Sequence, residues 1–472
     1  MSGAIAPADI VADLWRLAGA DASALQHLNL SGKDPVLPSS FRIGAAAQAS
    51  IAAVGLAAME LHHRAGAQRQ RVSVDMRHAA TEFRSEQFLT IDGKAATLGD
   101  PLFGAYRAGD GRYVRLHMNF PHHRANVLKF LGSAPTRAAI EEALKSWEAV
   151  AFETAAYEHS GVVSAMRSPE EWAQHPQAAA VASAPVVQIE KIGEASPRPL
   201  PRGEKPLAGL RVLDLTRIIA GPVAGRALAV HGADVMRISA PRLPFIDWLV
   251  KDTGRGKLSA YADITTEDGR AALARLVGDA DIFLQAHRPG AFAARGFGPA
   301  DVAALRPGIV YGSLSAYGHL GPWASRRGFD SLVQTATGFN VAEAQAAGIE
   351  GPKELPCQAL DHATGYLLAF GCIVARMRQA SEGGSWLVRV ALARTGRWIW
   401  RLGRVENGFS CQLPSRDDVA DLLEDSVSPF GLMRAARHAA QLSATPAGWA
   451  RPAVPLGTHP PVWPSLDEIV GL

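Results

Sequence analysis

From Leu207 onward, short apolar runs alternate with stretches whose apolar residues recur every three to four positions. Leu210–Thr216 (LRVLDLT) reads as a short apolar strand, and RIIAGPVAGRALAVHGA after it as a glycine-containing turn entering a helix. Asp234–Ser239 (DVMRIS) is the next strand. TTEDGRAALARLVGDA has amphipathic spacing, with Thr266 placed to accept from the free N–H groups at its start. DIFLQAH, GPADVAALRPG and GIVYGSLSAYG continue as strand, helix and strand. This alternation predicts a parallel sheet with crossover helices on both faces.

The first part of the chain has another rhythm. Ile43–His63 is an Ala-rich apolar helix, QRVSVDM a strand, and FGAYRAGDGRYVRLHM a hairpin turning at Asp110-Gly111. RSPEEWAQHPQ begins a helix at Ser168 and Pro169. This part reads as α+β. Between the two parts lies VQIEKIGEASPRPLPRGEKP, with four prolines between Pro197 and Pro206, which predicts a linker. A weak internal repeat joins the parts. A shift of 316 residues carries Ala53 onto Ala369, Gly55 onto Gly371, Val72 onto Val388 and Val74 onto Val390, each time in a helix, loop and V-x-V strand.

Composition narrows the class. With 48% hydrophobic and 20% charged residues over 472, the chain is globular and long enough for two or three domains. A net charge of +3, with Lys and Arg spread along the chain, gives no reason to invoke nucleic acid and suits an anionic small substrate. Three cysteines without a CxxC predict a reduced, cytoplasmic setting. MSGAIAPADIVADLW lacks the basic start of a signal peptide. Ile43–Met59 carries no charge, but its Ala and Gly content predicts a buried helix and no membrane span.

Two segments could carry chemistry. The first, Thr216–Gly225, joins a strand to a helix, where α/β sheets bind ligands and a helix N-terminus can hold phosphate. It is equally suited to being a tight packing turn. It is not a dinucleotide fingerprint: GxGxxG is absent, Pro222 removes an N–H, and the second strand ends in Ser239 where an acidic residue would hold a ribose. The second, ALDHATGYLLAFGCIVARM, places Asp361 at the start of an apolar helix. There it could simply cap the helix. Alternatively, the positive helix end could keep it ionised as a nucleophile toward a thioester. Cys357 reads as a small buried residue. His62-His63 and His122-His123 are neighbours expected to point apart, and no metal-spaced His cluster occurs. Arg394–Arg404 (RTGRWIWRLGR) could bind anions, but reads more simply as a surface strand with its Trp residues inward.

Over about 190 residues, several motifs in order resemble the class III CoA-transferases, the family of formyl-CoA and carnitine CoA-transferases. They are PLAGLRVLDLTRIIAGPVAGRALAVHGADV, GRAALARLVGDADIFLQAHRPGAFAARGFG and LRPGIVYGSLSAYGHLGPWASRRGFDSLVQTATG. The resemblance implies that Asp361 is the catalytic nucleophile, passing through a mixed anhydride and an aspartyl-CoA thioester. It further implies coenzyme A contacts from Ile218, Ile219, Ala220, Arg237, Lys257, His287 and Arg288. Ala286 and His287 stand where the family has Asn and an aromatic residue. Coenzyme A enters as part of the substrates, an acyl-CoA and a carboxylic acid; no tightly bound cofactor or metal is implied. Family members form interlocked dimers, so a homodimer is implied as well.

The implied fold is α/β: a Rossmann-like parallel sheet domain plus a smaller α+β domain. The expected organisation is a small domain over 1–187, resembling the family's catalytic helix and small domain out of order, with Ala45 where the nucleophile would stand. A linker over 188–206, a catalytic sheet domain over 207–394 and a returning segment over 395–472 complete it. The alternatives are a 2-methylacyl-CoA racemase and a non-catalytic CoA-binding relative. The racemase branch carries a GHD-type His where this chain has Gly328-Phe329-Asp330.

Overall fold

The largest sheet has seven strands. In spatial order they are Lys257–Tyr261, Asp234–Ser239, Arg211–Asp214, Ile282–Gln285, Val310–Ser315, Ser385–Ala391 and Gln188–Gly193. The first six run parallel, and Gln188–Gly193 pairs antiparallel with Ser385–Ala391. The central strands are buried on both faces, as at all four positions of Ile282–Gln285, whereas the edge strand Gln188–Gly193 is partly exposed throughout. The computed structural model describes residues 5–96 and 99–464.

The expected parallel sheet is therefore present, and Asp234–Ser239 has the bounds its sequence predicts. Thr266 caps its helix through the Gly269 N–H, and Ser168 forms a capping box with Glu171. The hairpin turns at Asp110-Gly111, where Gly111 takes φ +82°.

The linker expectation needs correction. Gln188–Gly193, the first residues of 188–206, form the edge strand of the main sheet. Prolines begin only at Pro197, so nothing in these six residues prevents pairing. Residues 1–187 are also not one unit. A core running from Leu102 to Ala165 stands by itself, while Ile10 to Phe83 share a core with the sheet and with residues as far as Leu442. The reason is the Ala-rich helix Ile43–Arg64. It is apolar all round and so must be surrounded by protein. Although long and apolar enough to cross a membrane, it is buried inside the molecule. The segment Arg394–Arg404 is another correction. Leu392–Arg401 is a helix that buries Thr395 and Ile399 and exposes Arg397 and Arg401, a helical spacing.

The repeat is real in three dimensions. A shift of 316 residues carries the start of the helix Ile43–Arg64 onto that of Ala359–Glu382. It also carries the start of Met76–Glu82 onto that of Leu392–Arg401. Each unit places its strand between a parallel partner and an antiparallel one. Val74 faces Leu30 as Val390 faces Leu314. Val72 faces Leu442 as Val388 faces Ile189. Each half of the chain thus supplies the edge strand of the other half's sheet. The glycines obey the same relation. A Cβ on Gly55 would stand 2.9 Å from Val72 Cγ1, and one on Gly371 2.6 Å from Val388 Cγ1.

Candidate active site

The helix Ala359–Glu382 points its first turn at the C-terminal edge of the main sheet, and Asp361 lies in that turn. Asp361 is not the cap. The helix starts two residues earlier, and the Asp361 N–H donates to Asp330 Oδ2 at 2.8 Å. Asp330 therefore satisfies the free donor, leaving the Asp361 carboxylate available for another role. In the repeat, the Ala45 N–H donates to Asp34 Oδ2 at 3.1 Å. The capping carboxylate is kept in both copies, and the carboxylate at the nucleophile position is present in one.

Close packing holds this turn in place. A Cβ on Gly365 would stand 2.4 Å from the Ala220 carbonyl oxygen, so glycine is what lets the helix reach the turn Thr216–Gly225. Within that turn Ile218 takes φ +75°, a conformation a β-branched residue adopts only under constraint.

Asp361 is 7% exposed and lines two cavities. One, of about 490 Å³, is lined by Arg217, Arg242, Arg288, Arg326, Arg327 and His122, among others. The arginines crowd one another. Burial and Arg288 lower the Arg327 pKa, and burial and Arg242 lower that of Arg217. A cavity of mutually repelling cations is suited to a polyanion such as a pyrophosphate. The other cavity, of about 580 Å³, shares Ile218, Ile219, Phe329 and Asp361 with the first and combines an apolar wall with neutral and acidic side chains.

The charge state of Asp361 differs from expectation. The helix end was expected to keep it ionised. Instead, burial raises its pKa well above the usual carboxylate range, and the neighbouring Asp330 and Glu86 carboxylates raise it further. Burial also pushes Asp330 up, to about 6. Desolvation and like charge outweigh the helix dipole, which contributes only about 0.3–1 kcal/mol near a surface.

Of the expected coenzyme A contacts, Ile218, Ile219, Ala220, His287 and Arg288 line the basic cavity with Asp361. Lys257 does not. Its Nζ is buried on Asp214 Oδ2 and the Pro222 carbonyl, both at 2.7 Å, where it braces the turn from behind. Arg237 is likewise buried, donating to Thr253 Oγ1 at 2.9 Å and lining only a small separate hollow. Both are long cationic side chains in buried strands, so they are tied down inside. His122 and His123 do not point apart: both line the basic cavity, with ring centroids 4.2 Å apart. Cys357 is buried with its thiol pKa pushed up, as a small core residue should be. Arg217, Arg242, Arg327 and Glu86 escaped the sequence reading. Arg217 stands in the turn Thr216–Gly225 without having been named, and Arg242, Arg327 and Glu86 come from separated segments that no local motif marks.

Residues 207–436 match the profile of CoA-transferase family III. A probable fatty acyl-CoA transferase of Mycobacterium tuberculosis is 35% identical over 202 residues, covering 40% of this chain and 50% of the relative. Mouse succinyl-CoA:glutarate CoA-transferase is 32% identical over 200 residues, covering 39% and 44%. The chain thus spans about half the length, or less, of these relatives. An acyl-CoA transferase of Gibberella moniliformis is 27% identical over 410 residues, covering 78% of this chain and 72% of that one. That is more than residues 207–472 could supply, so its likeness extends into the first half. Among solved structures, a hypothetical protein of M. tuberculosis aligns with a TM-score of 0.39 at 34% identity, covering 42% of this chain and 58% of that chain. Six of the sheet's seven strands, the strand-to-helix turn and the helix bearing Asp361 all fall within residues 207–436, the stretch that matches the model of CoA-transferase family III.

Proposed function

We propose that this chain moves coenzyme A between carboxylic acids, with Asp361 as the covalent nucleophile. The observation that carries the reading is the position of Asp361: among the described residues it is the one carboxylate that lines both the cavity rich in cations and the cavity with an apolar wall. The 3′-phospho-ADP end of an acyl-CoA suits the basic cavity, with Arg217, Arg242, Arg288 and Arg327 at its phosphates and His287, Ile218, Ile219 and Ala220 along the turn. The thioester then lies at Asp361 and the acyl group passes beyond it.

The ionised carboxylate attacks the thioester carbonyl. The C–S bond breaks, coenzyme A leaves as thiolate, and an aspartyl mixed anhydride forms. The thiolate attacks the aspartyl carbonyl and expels the donor acid, leaving coenzyme A on Asp361 as a thioester. The acceptor carboxylate attacks this thioester and releases thiolate. The thiolate takes the acceptor acyl group from the second anhydride, which frees new acyl-CoA and the Asp361 carboxylate. No net proton transfer is needed. Burial raises the energy of the free carboxylate, which favours its attack on the carbonyl.

The test is intact-protein mass after mixing with acyl-CoA donors, followed by hydroxylamine. An adduct on Asp361 that hydroxylamine discharges supports the reading, and absence of any adduct despite coenzyme A binding removes it. A second reading, α-proton transfer as in a racemase, is favoured by one observation. His122 and His123 line the cavity of Asp361, and burial lowers both pKa values, so neutral imidazoles are at hand as bases. Deuterium uptake at the α-carbon of a 2-methylacyl-CoA, without acyl transfer, would select it.

A further inference from the structure

The second cavity beside Asp361 has a composition that sorts acyl groups. Its apolar wall is Phe103, Ile218, Phe245, Ile246, Leu249 and Phe329. Phe245 is 51% exposed at its rim, with no burial in the fold to account for an aromatic residue there. Strained Ile218 lines both cavities and stands at their junction.

The polar residues of this cavity are as informative. Asn119, Gln87, Ser331 and Gln358 are neutral, and burial lowers the His117 pKa to about 3, so that imidazole is uncharged. The ionisable remainder is acidic: Glu86, Asp100 and Asp330 beside Asp361. Glu86 takes the His362 ring at 3.1 Å, and Asp100 takes Arg124 at 2.9 Å. Among the described residues lining the cavity there is no Lys or Arg. A carboxylate at the far end of an acyl group would find no cation there and would face several acidic groups.

We infer that the acyl groups handled at Asp361 are those of apolar monocarboxylic acids, alkyl or aryl, and that dicarboxylic acids are rejected. This inference rests on the transferase reading above for the position of the thioester. It would set this chain apart from the relative named succinyl-CoA:glutarate CoA-transferase, whose named acids are dicarboxylic. The discrimination is built from both sides: apolar contact for the accepted chain, and acidic groups without a lining Lys or Arg against the rejected one.

The test uses hexanoyl-CoA and adipyl-CoA, which have equal chain length and differ by a terminal carboxylate. Binding is measured by calorimetry on full-length protein carrying Asp361→Asn, so the result does not depend on turnover. Adduct formation is measured on the unaltered protein. Hexanoyl-CoA should bind tighter by a factor on the order of 100, and should be the donor that labels Asp361. Phe245→Arg, at an exposed rim position that tolerates charge, should narrow the ratio by strengthening adipyl-CoA binding. Equal or tighter binding of adipyl-CoA by the Asp361→Asn protein overturns the inference even if transfer is real. A hexanoyl preference in binding without any adduct on the unaltered protein removes the transferase reading, while the cavity's selectivity stands.

Discussion

At Asp361 the controlling quantity is charge. Burial and two neighbouring carboxylates hold its pKa up, and Asp330 itself is pushed up to about 6. Attack needs the ionised form, so activity is lost as pH falls and regained as it rises. We expect kcat/KM to go on climbing with pH beyond the point near about pH 5 where an ordinary carboxylate would level off. Asp330→Asn removes a like charge, and its amide oxygen can still accept the Asp361 N–H. The ascending limb should therefore move to lower pH, and a pH–rate profile that does not move would dissociate the two groups. Asp361→Asn should lower transfer by about three orders of magnitude or more, while calorimetry should find coenzyme A affinity little changed. Arg288 and Lys257 separate two roles that sequence alone gave the same name. Arg288→Ala should weaken coenzyme A binding roughly tenfold through a lost phosphate contact. Lys257→Ala leaves Asp214 buried without its cation and should cost about 3–5 kcal/mol of stability in a denaturant titration. The affinity of the folded fraction should be unchanged.

Among the elements, the helix Ala359–Glu382 does most to position the site. Its existence was legible, since Tyr366, Leu367, Phe370, Ile373 and Val374 form an apolar stripe. Its first turn was less so. Asp361 reads as a cap, because a carboxylate before an apolar run normally is one. The actual acceptor is Asp330, 31 residues away, which no local pattern could nominate. Gly365 is the contact point with the turn Thr216–Gly225. Gly365→Ala should cost about 1–3 kcal/mol by overpacking against the Ala220 carbonyl, and it should reduce transfer by displacing Asp361. Thermal unfolding and adduct-forming rate report these two effects separately. Leu392–Arg401 shows the opposite failure. Its tryptophans suggested a strand, yet its exposed arginines at 397 and 401 carry helical spacing.

Across the whole molecule, two helix–strand–helix units exchange edge strands within one chain. The exchange explains why Ile10 to Phe83 cannot be a separate domain: their helix is buried against its own repeat. It also sets stoichiometry. Both copies keep a carboxylate on the helix N-terminus, Asp34 and Asp330, but only one has Asp at the reacting position. Covalent labelling should therefore saturate at one coenzyme A per 50.0 kDa chain, read by intact mass. The sequence by itself determined what depends on near neighbours. Strand and helix order, the capping of Thr266 and Ser168 and the turn at Gly111 all follow from residues a few positions apart, whereas Asp361 was singled out by resemblance. Tertiary structure decided what depends on convergence. It sent Lys257 and Arg237 into the interior and gathered Arg217, Arg242, Arg288 and Arg327 from separate loops. It also placed Glu86 and Asp330 beside Asp361, reversing the expected charge state. That division is physical: local patterns fix backbone conformation, whereas desolvation and Coulomb interaction depend on which distant side chains arrive at the same place.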